Sequence, residues 1–301
     1  MIPVSRIPST ALHAVISDVD GTLVTDDKVV TARSEAAVGA LRAANIAFSI
    51  ISSRPPRGLR GLIDRLGITA PLAGFNGGAV ATPAGSLITQ HLLSPAAARR
   101  AVEMIGAHGA QAWVFCGPDW LTRDPAGPYV GREQHTVGFE PTVVRYFGRS
   151  LDAAAKIVAV SADFDLLTRL EGHARPALAD RATVARSQPY YLDFTHPLAN
   201  KGVALSELAK LMAIPAAQIA VIGDGGNDVA MFERSGLSIA MGNADPDVQR
   251  AADFVTDRND QDGFAKAIEW FVLGGHRSNA PGSRPADARA SLAAAREGGR
   301  P

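Results

Sequence analysis

Asp18-Val19-Asp20-Gly21-Thr22 follows the apolar run Ala14-Val15-Ile16, so two carboxylates stand one residue apart where a strand ends and the chain turns. Like charges at that spacing raise each other's pKa, and desolvation adds to the penalty. A cation offsets both effects, and a carboxylate beside a bound cation can serve as a nucleophile. Asp and Gly are also ordinary turn residues. Taken alone, the pentapeptide reads equally well as a polar turn.

The surrounding pattern is an alternation of strands and helices. Thr31 suits the N-cap of a helix over 32–44, with Ala37, Val38, Leu41 and Ala44 on one face. Ala47-Phe48-Ser49-Ile50-Ile51 is a second buried strand. Pro55 and Pro56 suit a helix start, and Leu59, Leu62, Ile63 and Leu66 give that helix an apolar stripe. The pattern returns late in the chain. Val203, Leu205, Leu208 and Leu211 mark a helix, Ile219-Ala220-Val221-Ile222 a strand ending in Gly223-Asp224, and 237–241 and 254–255 further strands before a helix over 263–273. Such alternation predicts a parallel sheet with helices on both faces, and sites beyond the carboxyl ends of its strands. Asp18 and Ser52 both stand at such ends.

The stretch between about 82 and 188 is different. Gly117-Pro118-Asp119 and Asp124-Pro125-Ala126-Gly127-Pro128 are turn signals, and aromatic residues are frequent. Val114, Leu121, Val143-Val144 and Ile157-Val158-Ala159-Val160 suit strands. We read an α+β domain inserted into an α/β core.

Composition narrows the class. The chain has 301 residues and is 47% hydrophobic, enough for a large core and two domains. Lys plus Arg, at 30, equals Asp plus Glu, at 30, so the basic footprint of a nucleic-acid binder is missing. Cys116 is the only cysteine, which excludes an internal disulfide, a cysteine zinc cluster and a CxxC pair. Its expected role is a small apolar side chain inside the fold. Met1 to Pro8 lacks a signal-peptide apolar core, and no segment is long and apolar enough to span a bilayer. A soluble cytoplasmic protein is expected. Residues 276–301, rich in Gly, Pro, Ser, Ala and Arg, read as a disordered tail.

Three further segments carry chemistry: Ser52; Lys201 in Asn200-Lys201-Gly202; and Gly223-Asp224-Gly225-Gly226-Asn227-Asp228. Singly, each has a plainer explanation, as a helix cap, a surface lysine and a turn. Together with Asp18 and Asp20 they form a chemical set. The carboxylates are hard oxygen ligands suited to Mg²⁺. A hydroxyl and an ammonium suit phosphate oxygens. Gly21, Gly225 and Gly226 let the backbone approach an anion. Phosphoryl transfer needs this combination of positioning and charge neutralisation.

These segments resemble motifs I to IV of the haloacid dehalogenase (HAD) superfamily, and in detail its Cof-type, class IIB phosphatases. Asn76-Gly77-Gly78 resembles the Asn-Gly-Ala segment of that group. Ala240-Met241-Gly242-Asn243-Ala244, Ala251 to Thr256 and Asp262-Gly263 resemble its C-terminal signature. The resemblance runs through residues 12–82 and 189–273. It implies a Rossmann-like parallel-sheet core over 1–82 and 189–275, with an inserted α+β C2-type cap over 83–188. It also implies a Mg²⁺-dependent phosphatase acting on a small organic phosphate monoester, with a sugar phosphate as one candidate.

Residue roles follow by the same resemblance. Asp18 is implied as the nucleophile forming an aspartyl-phosphate. Asp20 is implied as general acid, then base, with its backbone carbonyl on Mg²⁺. Ser52 and Lys201 hold the phosphoryl group, with Gly21 backbone and Asn227 beside it. Asp224 ligates the metal and Asp228 supports it. Arg54, Asn76 and Gly77 are candidates for substrate contact. Motif II departs from the common Thr-Gly-Arg by reading Ser52-Ser53-Arg54, which keeps the hydroxyl but replaces the flexible glycine.

Within the cap, Trp120, Arg123, Tyr129, Arg132 and His135 lie in or near turns and are weak ligand candidates; cap core or surface is the simpler reading of each. The expected partner is a small phosphorylated metabolite, with no nucleic acid and no membrane, and the assembly a monomer or small homo-oligomer. Two alternatives remain at this level: a phosphomannomutase-like phosphosugar mutase, and a non-catalytic binding protein on the same scaffold.

Overall fold

The structure, a computed structural model, describes residues 11–274. The tail expected over 276–301 lies outside the described residues. The chain opens with β1 (Ala14–Ser17), α1 (Ala32–Ala43) and β2 (Ala47–Ile50), then α2 (Arg60–Leu66), β3 (Leu72–Gly74), β4 (Ala79–Ala81) and β5 (Leu87–Gln90). There follow α3 (Pro95–Ala107), β6 (Gln111–Cys116), β7 (Asp119–Thr122), α4 (Val130–Val137), β8 (Thr142–Val143) and β9 (Ala154–Val160). Next come α5 (Phe164–Leu178), β10 (Thr183–Gln188), β11 (Tyr191–Thr195) and α6 (Lys201–Leu211). The chain ends with β12 (Ile219–Gly223), α7 (Val229–Phe232), β13 (Leu237–Ala240), α8 (Pro246–Ala251), β14 (Phe254–Val255) and α9 (Gly263–Ala267).

The described residues fall into two compact units, one within Met1–Phe48 and Ala213–Pro301, the other Ser49–Met212. The first is built on a five-stranded sheet in the order β14-β13-β12-β1-β2. β1 pairs with β12, β12 with β13 and β13 with β14, all parallel. β1 and β12 are buried along their whole length, which is why both read as continuous apolar runs rather than alternating ones. Thr31 caps α1 as expected, its side chain accepting from the backbone N–H of Ser34 at 3.1 Å. The last helix departs from expectation. α9 is regular only to Ala267, and Ile268–Val272 continues as a π-helix.

The second unit holds two sheets. β3-β4-β5 is a small antiparallel sheet. The larger has six strands in the order β10-β11-β9-β6-β7-β8, antiparallel except for the β7–β8 pair. Alternation along its strands sorts the side chains onto two faces. Val114, Leu121, Ile157, Ala159, Leu192 and Phe194 form one buried cluster with Ala101 and Ile105 of α3 and Leu167 and Leu170 of α5. Trp113, Phe115, Trp120, Val158 and Tyr191 face the other way and pack with Val130 and Val137 of α4. The middle of the sequence predicts an α+β element; its sheet also takes in β11, past the boundary expected at 188, because β11 pairs with β9 and β10. Cys116 is half-buried at the edge of the first cluster, and burial pushes its thiol pKa up.

Leu170 on α5 is fully buried among these aliphatic side chains. Leu170→Ala is expected to destabilise the protein by about 2–5 kcal/mol in denaturant unfolding, the range for a buried leucine truncated to leave a cavity. A loss of under about 1 kcal/mol contradicts the packing described.

Candidate active site

The acidic cluster sits in the first unit, at the carboxyl ends of neighbouring strands. The β1–β12 register continues one residue past β1, where the Asp18 N–H donates to Ile222 O at 2.9 Å. Asp18 thus lies beside the end of β12, whose continuation is Gly223-Asp224. Carboxylate oxygens of Asp18, Asp224 and Asp228 all lie within 4.8 Å of one another. Asp18 and Asp228 are buried, and Asp224 is half-buried.

Each acid is held by local structure. Asp228 Oδ2 accepts from the backbone N–H groups of Asp224 at 2.9 Å and Gly225 at 2.8 Å, so it folds its own loop. Asp224 Oδ1 accepts from the Thr22 hydroxyl at 2.7 Å. The Asn243 amide donates to Gly21 O at 2.9 Å and lies 3.4 Å from Asp224 Oδ2. Gly21 is required here: its φ is +84°, and a Cβ would fall 2.3 Å from Asp224 Oδ2. The Asp20 side chain leaves this group, pairing through Oδ1 with Lys28 Nζ at 2.8 Å.

Three carboxylates gathered this closely, two of them buried, repel one another unless a cation intervenes. The ligand set is all oxygen, which fits a hard divalent ion such as Mg²⁺ and does not suit a thiophilic one. Asp18, Asp224 and Asp228 are the side chains that would hold it.

The second unit positions the two phosphate-binding candidates. Ser52 extends from β2. Its N–H donates to Ala73 O at 2.9 Å, and its carbonyl accepts from the Asn76 N–H at 2.8 Å. Its hydroxyl accepts from the Arg54 N–H at 3.1 Å. Lys201 is the first residue of α6, N-capped by Asn200, whose side chain accepts from the Val203 N–H at 2.9 Å. Lys201 is 1% exposed. Neither burial nor the positive end of a helix favours an ammonium there, so helix stability does not explain its position.

Asn76 and Gly77 join these two segments. Asn76 adopts a left-handed conformation with φ +57°, and Gly77 has φ +102°. A Cβ on Gly77 would meet Asn200 O and Ala204 Cβ, each at 2.8 Å. This glycine therefore lets the segment bonded to Ser52 pack against the start of α6.

The remaining candidates divide. Arg54 is buried, and its guanidinium donates to Thr136 O at 2.8 Å, tying motif II to α4. Asn227 is exposed in its loop. Trp120 takes the simpler reading, cap core: it is fully buried, 4.9 Å from the Trp113 ring, because β7 pairs with β6 and turns the indole inward. Arg132 lies over the Tyr190 ring, which stacks on Tyr129 at 4.1 Å. Arg123 lies over Phe147, and both Arg123 and His135 are exposed. Thr22, Asn243 and Lys28 were not singled out as site residues. The first two lie inside motifs that were; Lys28 carries no such signal.

The loop from β11 to Lys201 adds a pH dependence. His196 stacks on His91 with ring centroids 5.4 Å apart, and its Nδ1 accepts from the Leu198 N–H at 3.0 Å. Burial, then the neighbouring His91, lowers the His196 pKa below the usual histidine value of about 6.5. The unfolded chain therefore takes up the proton first. This contribution to stability is present above the unfolded pKa and lost as pH falls through the lower folded one. Thermal unfolding between about pH 7.5 and 5 is expected to show a steeper fall in Tm for the wild type than for His196→Asn. Parallel curves contradict this assignment.

Comparisons with known proteins agree with this geometry. The model of the haloacid dehalogenase-like hydrolase family matches residues 15–268. The chain is 28% identical over 229 residues to the HMP-PP phosphatase of Cronobacter sakazakii, covering 76% of this chain and 84% of that protein. It is 25% identical over 290 residues to 5-amino-6-(5-phospho-D-ribitylamino)uracil phosphatase YwtE of Bacillus subtilis, covering 87% and 99%. Among solved structures, a haloacid dehalogenase-like hydrolase from Bacteroides thetaiotaomicron superposes with a TM-score of 0.79 at 26% identity, covering 86% and 99% of the two chains. A HAD subclass IIB sugar phosphatase shares the fold, with a TM-score of 0.76 at 22% identity over 86% and 98%. With a parallel-sheet core, an acid cluster at its strand ends and a family match across most of its length, this chain belongs to the haloacid dehalogenase-like hydrolases.

Proposed function

We propose that the protein is a Mg²⁺-dependent phosphatase that hydrolyses a small organic phosphate monoester, with sugar phosphates among the candidates, through an aspartyl-phosphate intermediate on Asp18. The observation that carries this reading is the separation of the acids: Asp18, Asp224 and Asp228 gather in one cluster, while Asp20 turns to Lys28. Two acids one residue apart thereby have different environments, as nucleophile and proton carrier require.

An Asp18 carboxylate oxygen attacks phosphorus, and the bond from phosphorus to the leaving oxygen breaks. Asp20 gives its proton to that oxygen. Asp20, now a carboxylate, takes a proton from water; the hydroxide attacks phosphorus, and the bond to Asp18 breaks, freeing phosphate and restoring both acids. A bound Mg²⁺ supplies charge neutralisation for the phosphoryl oxygens and the carboxylates. Ser52 and Lys201 bind the non-bridging oxygens, with Asn227 and the Gly21 backbone alongside. Asn76 and Gly77 serve chiefly by holding Ser52 and Lys201 in place. Arg54, tied to α4, links the phosphate-binding segment to the cap over residues 83–188, which selects the leaving group.

Relatives named as phosphatases of small phosphorylated molecules support the substrate class. The same reading expects a cytoplasmic protein, monomeric or a small homo-oligomer. Among the described residues no helix is long and apolar enough to cross a membrane.

The test is phosphate release across a broad panel of phosphate monoesters with Mg²⁺ present. The wild type is expected to turn over several of them, and Asp18→Asn to lose about 10³-fold or more in kcat, since an amide is a poor nucleophile. No release by the wild type on any ester, or full activity in Asp18→Asn, defeats the proposal.

A further inference from the structure

Lys28 sits in a tight turn after motif I. Thr25 N–H donates to Val29 O at 3.0 Å, Lys28 N–H donates to Thr25 O at 2.9 Å, and Val29 N–H reaches the Thr25 hydroxyl at 3.3 Å. The turn is anchored from outside: the Asn259 side chain donates to Val24 O at 3.2 Å and to Asp26 Oδ1 at 3.1 Å. Lys28 has φ +64°, the left-handed region that a lysine rarely adopts. Backbone conformations of this kind persist where surrounding contacts hold them.

Two exposed acids, Asp26 and Asp27, lie next to Lys28 in sequence. Its ammonium instead crosses to Asp20, with Nζ 2.8 Å from Oδ1; the two side chains are only 21% and 17% exposed. An exposed pair contributes little, but a pair largely out of water, with one partner on an anchored turn, fixes the carboxylate's orientation.

We propose that Lys28 is a positioning residue for proton transfer: its ion pair to Oδ1 orients Asp20 so that the other carboxylate oxygen exchanges the proton with the leaving group. This rests on the phosphatase reading above. Lys28 keeps its own protons throughout. The proton that Asp20 gives to the leaving oxygen in the first half-reaction is the one it recovers from water in the second.

Leaving groups separate this role from a structural one. An alkoxide departs poorly without a proton, whereas para-nitrophenolate departs readily without one. Lys28→Asn keeps a residue that tolerates the left-handed conformation and removes the cation. Holoenzyme with Mg²⁺ is assayed on para-nitrophenyl phosphate and on the best alkyl phosphate from the panel. Lys28→Asn is expected to lower kcat about tenfold to a hundredfold on the alkyl ester, with KM little changed, and less than about threefold on the aryl ester. Lys28→Arg, which retains a cation, should recover most of the lost alkyl-to-aryl ratio. Equal losses on both esters, no loss on either, or an arginine variant no better than asparagine overturns the proposal. A wild type inactive on every ester defeats the phosphatase reading itself, a result distinct from these.

Discussion

Mutual repulsion among three carboxylates at the ends of two paired strands is the constraint on which the first unit depends. The parallel register of β1 with β12 brings Asp18 and Asp224 to one edge, and the loop after β12 turns Asp228 back onto its own backbone N–H groups. Bringing charges this close is unfavourable in an apolar fold and becomes favourable once a cation is shared. The supporting contacts make sense on that basis. Gly21 has no Cβ to push Asp224 away, and Thr22 and Asn243 direct donors at it. A side chain diverted from this cluster is as informative as one within it, and Asp20 is the diverted one.

The second unit solves a different problem, that of placing a hydroxyl and a buried ammonium on segments far apart in sequence. Ser52 and Lys201 are 149 positions apart by their numbering, yet both are braced by Asn76-Gly77. The six-stranded sheet between them in the chain has one aliphatic face under α3 and α5 and one aromatic face against α4. Arg54 contacts α4 directly, its guanidinium donating to Thr136 O, so motif II and that helix are joined by a hydrogen bond as well as by the chain.

Much of this was legible in the sequence, for identifiable reasons. The strands of the parallel sheet are short and buried on both faces, so they stand out as apolar runs, and Thr31 marks its helix start by an ordinary capping preference. The acids and Lys201 were visible because buried chemistry at strand ends and helix starts leaves a pattern of residue types. Trp120 stands next to Gly117-Pro118-Asp119, so sequence alone left it between turn and cap core; strand pairing turns it inward. The contact of Lys28 with Asp20 was not legible: it depends on a left-handed turn, which no local spacing encodes, whereas Asn243 lies inside a motif the sequence does show. The π-helix at Ile268–Val272 follows an apolar stripe indistinguishable from that of an α-helix.

The central claim is that Asp18, and no other carboxylate of the cluster, carries the phosphoryl group. Acid quenching during turnover, reduction of any acyl phosphate with borohydride and mass analysis of the peptides tests it directly. The account predicts a substrate-dependent conversion of Asp18 to homoserine. Reduction at Asp20, Asp224 or Asp228 instead, or none during steady turnover, contradicts it.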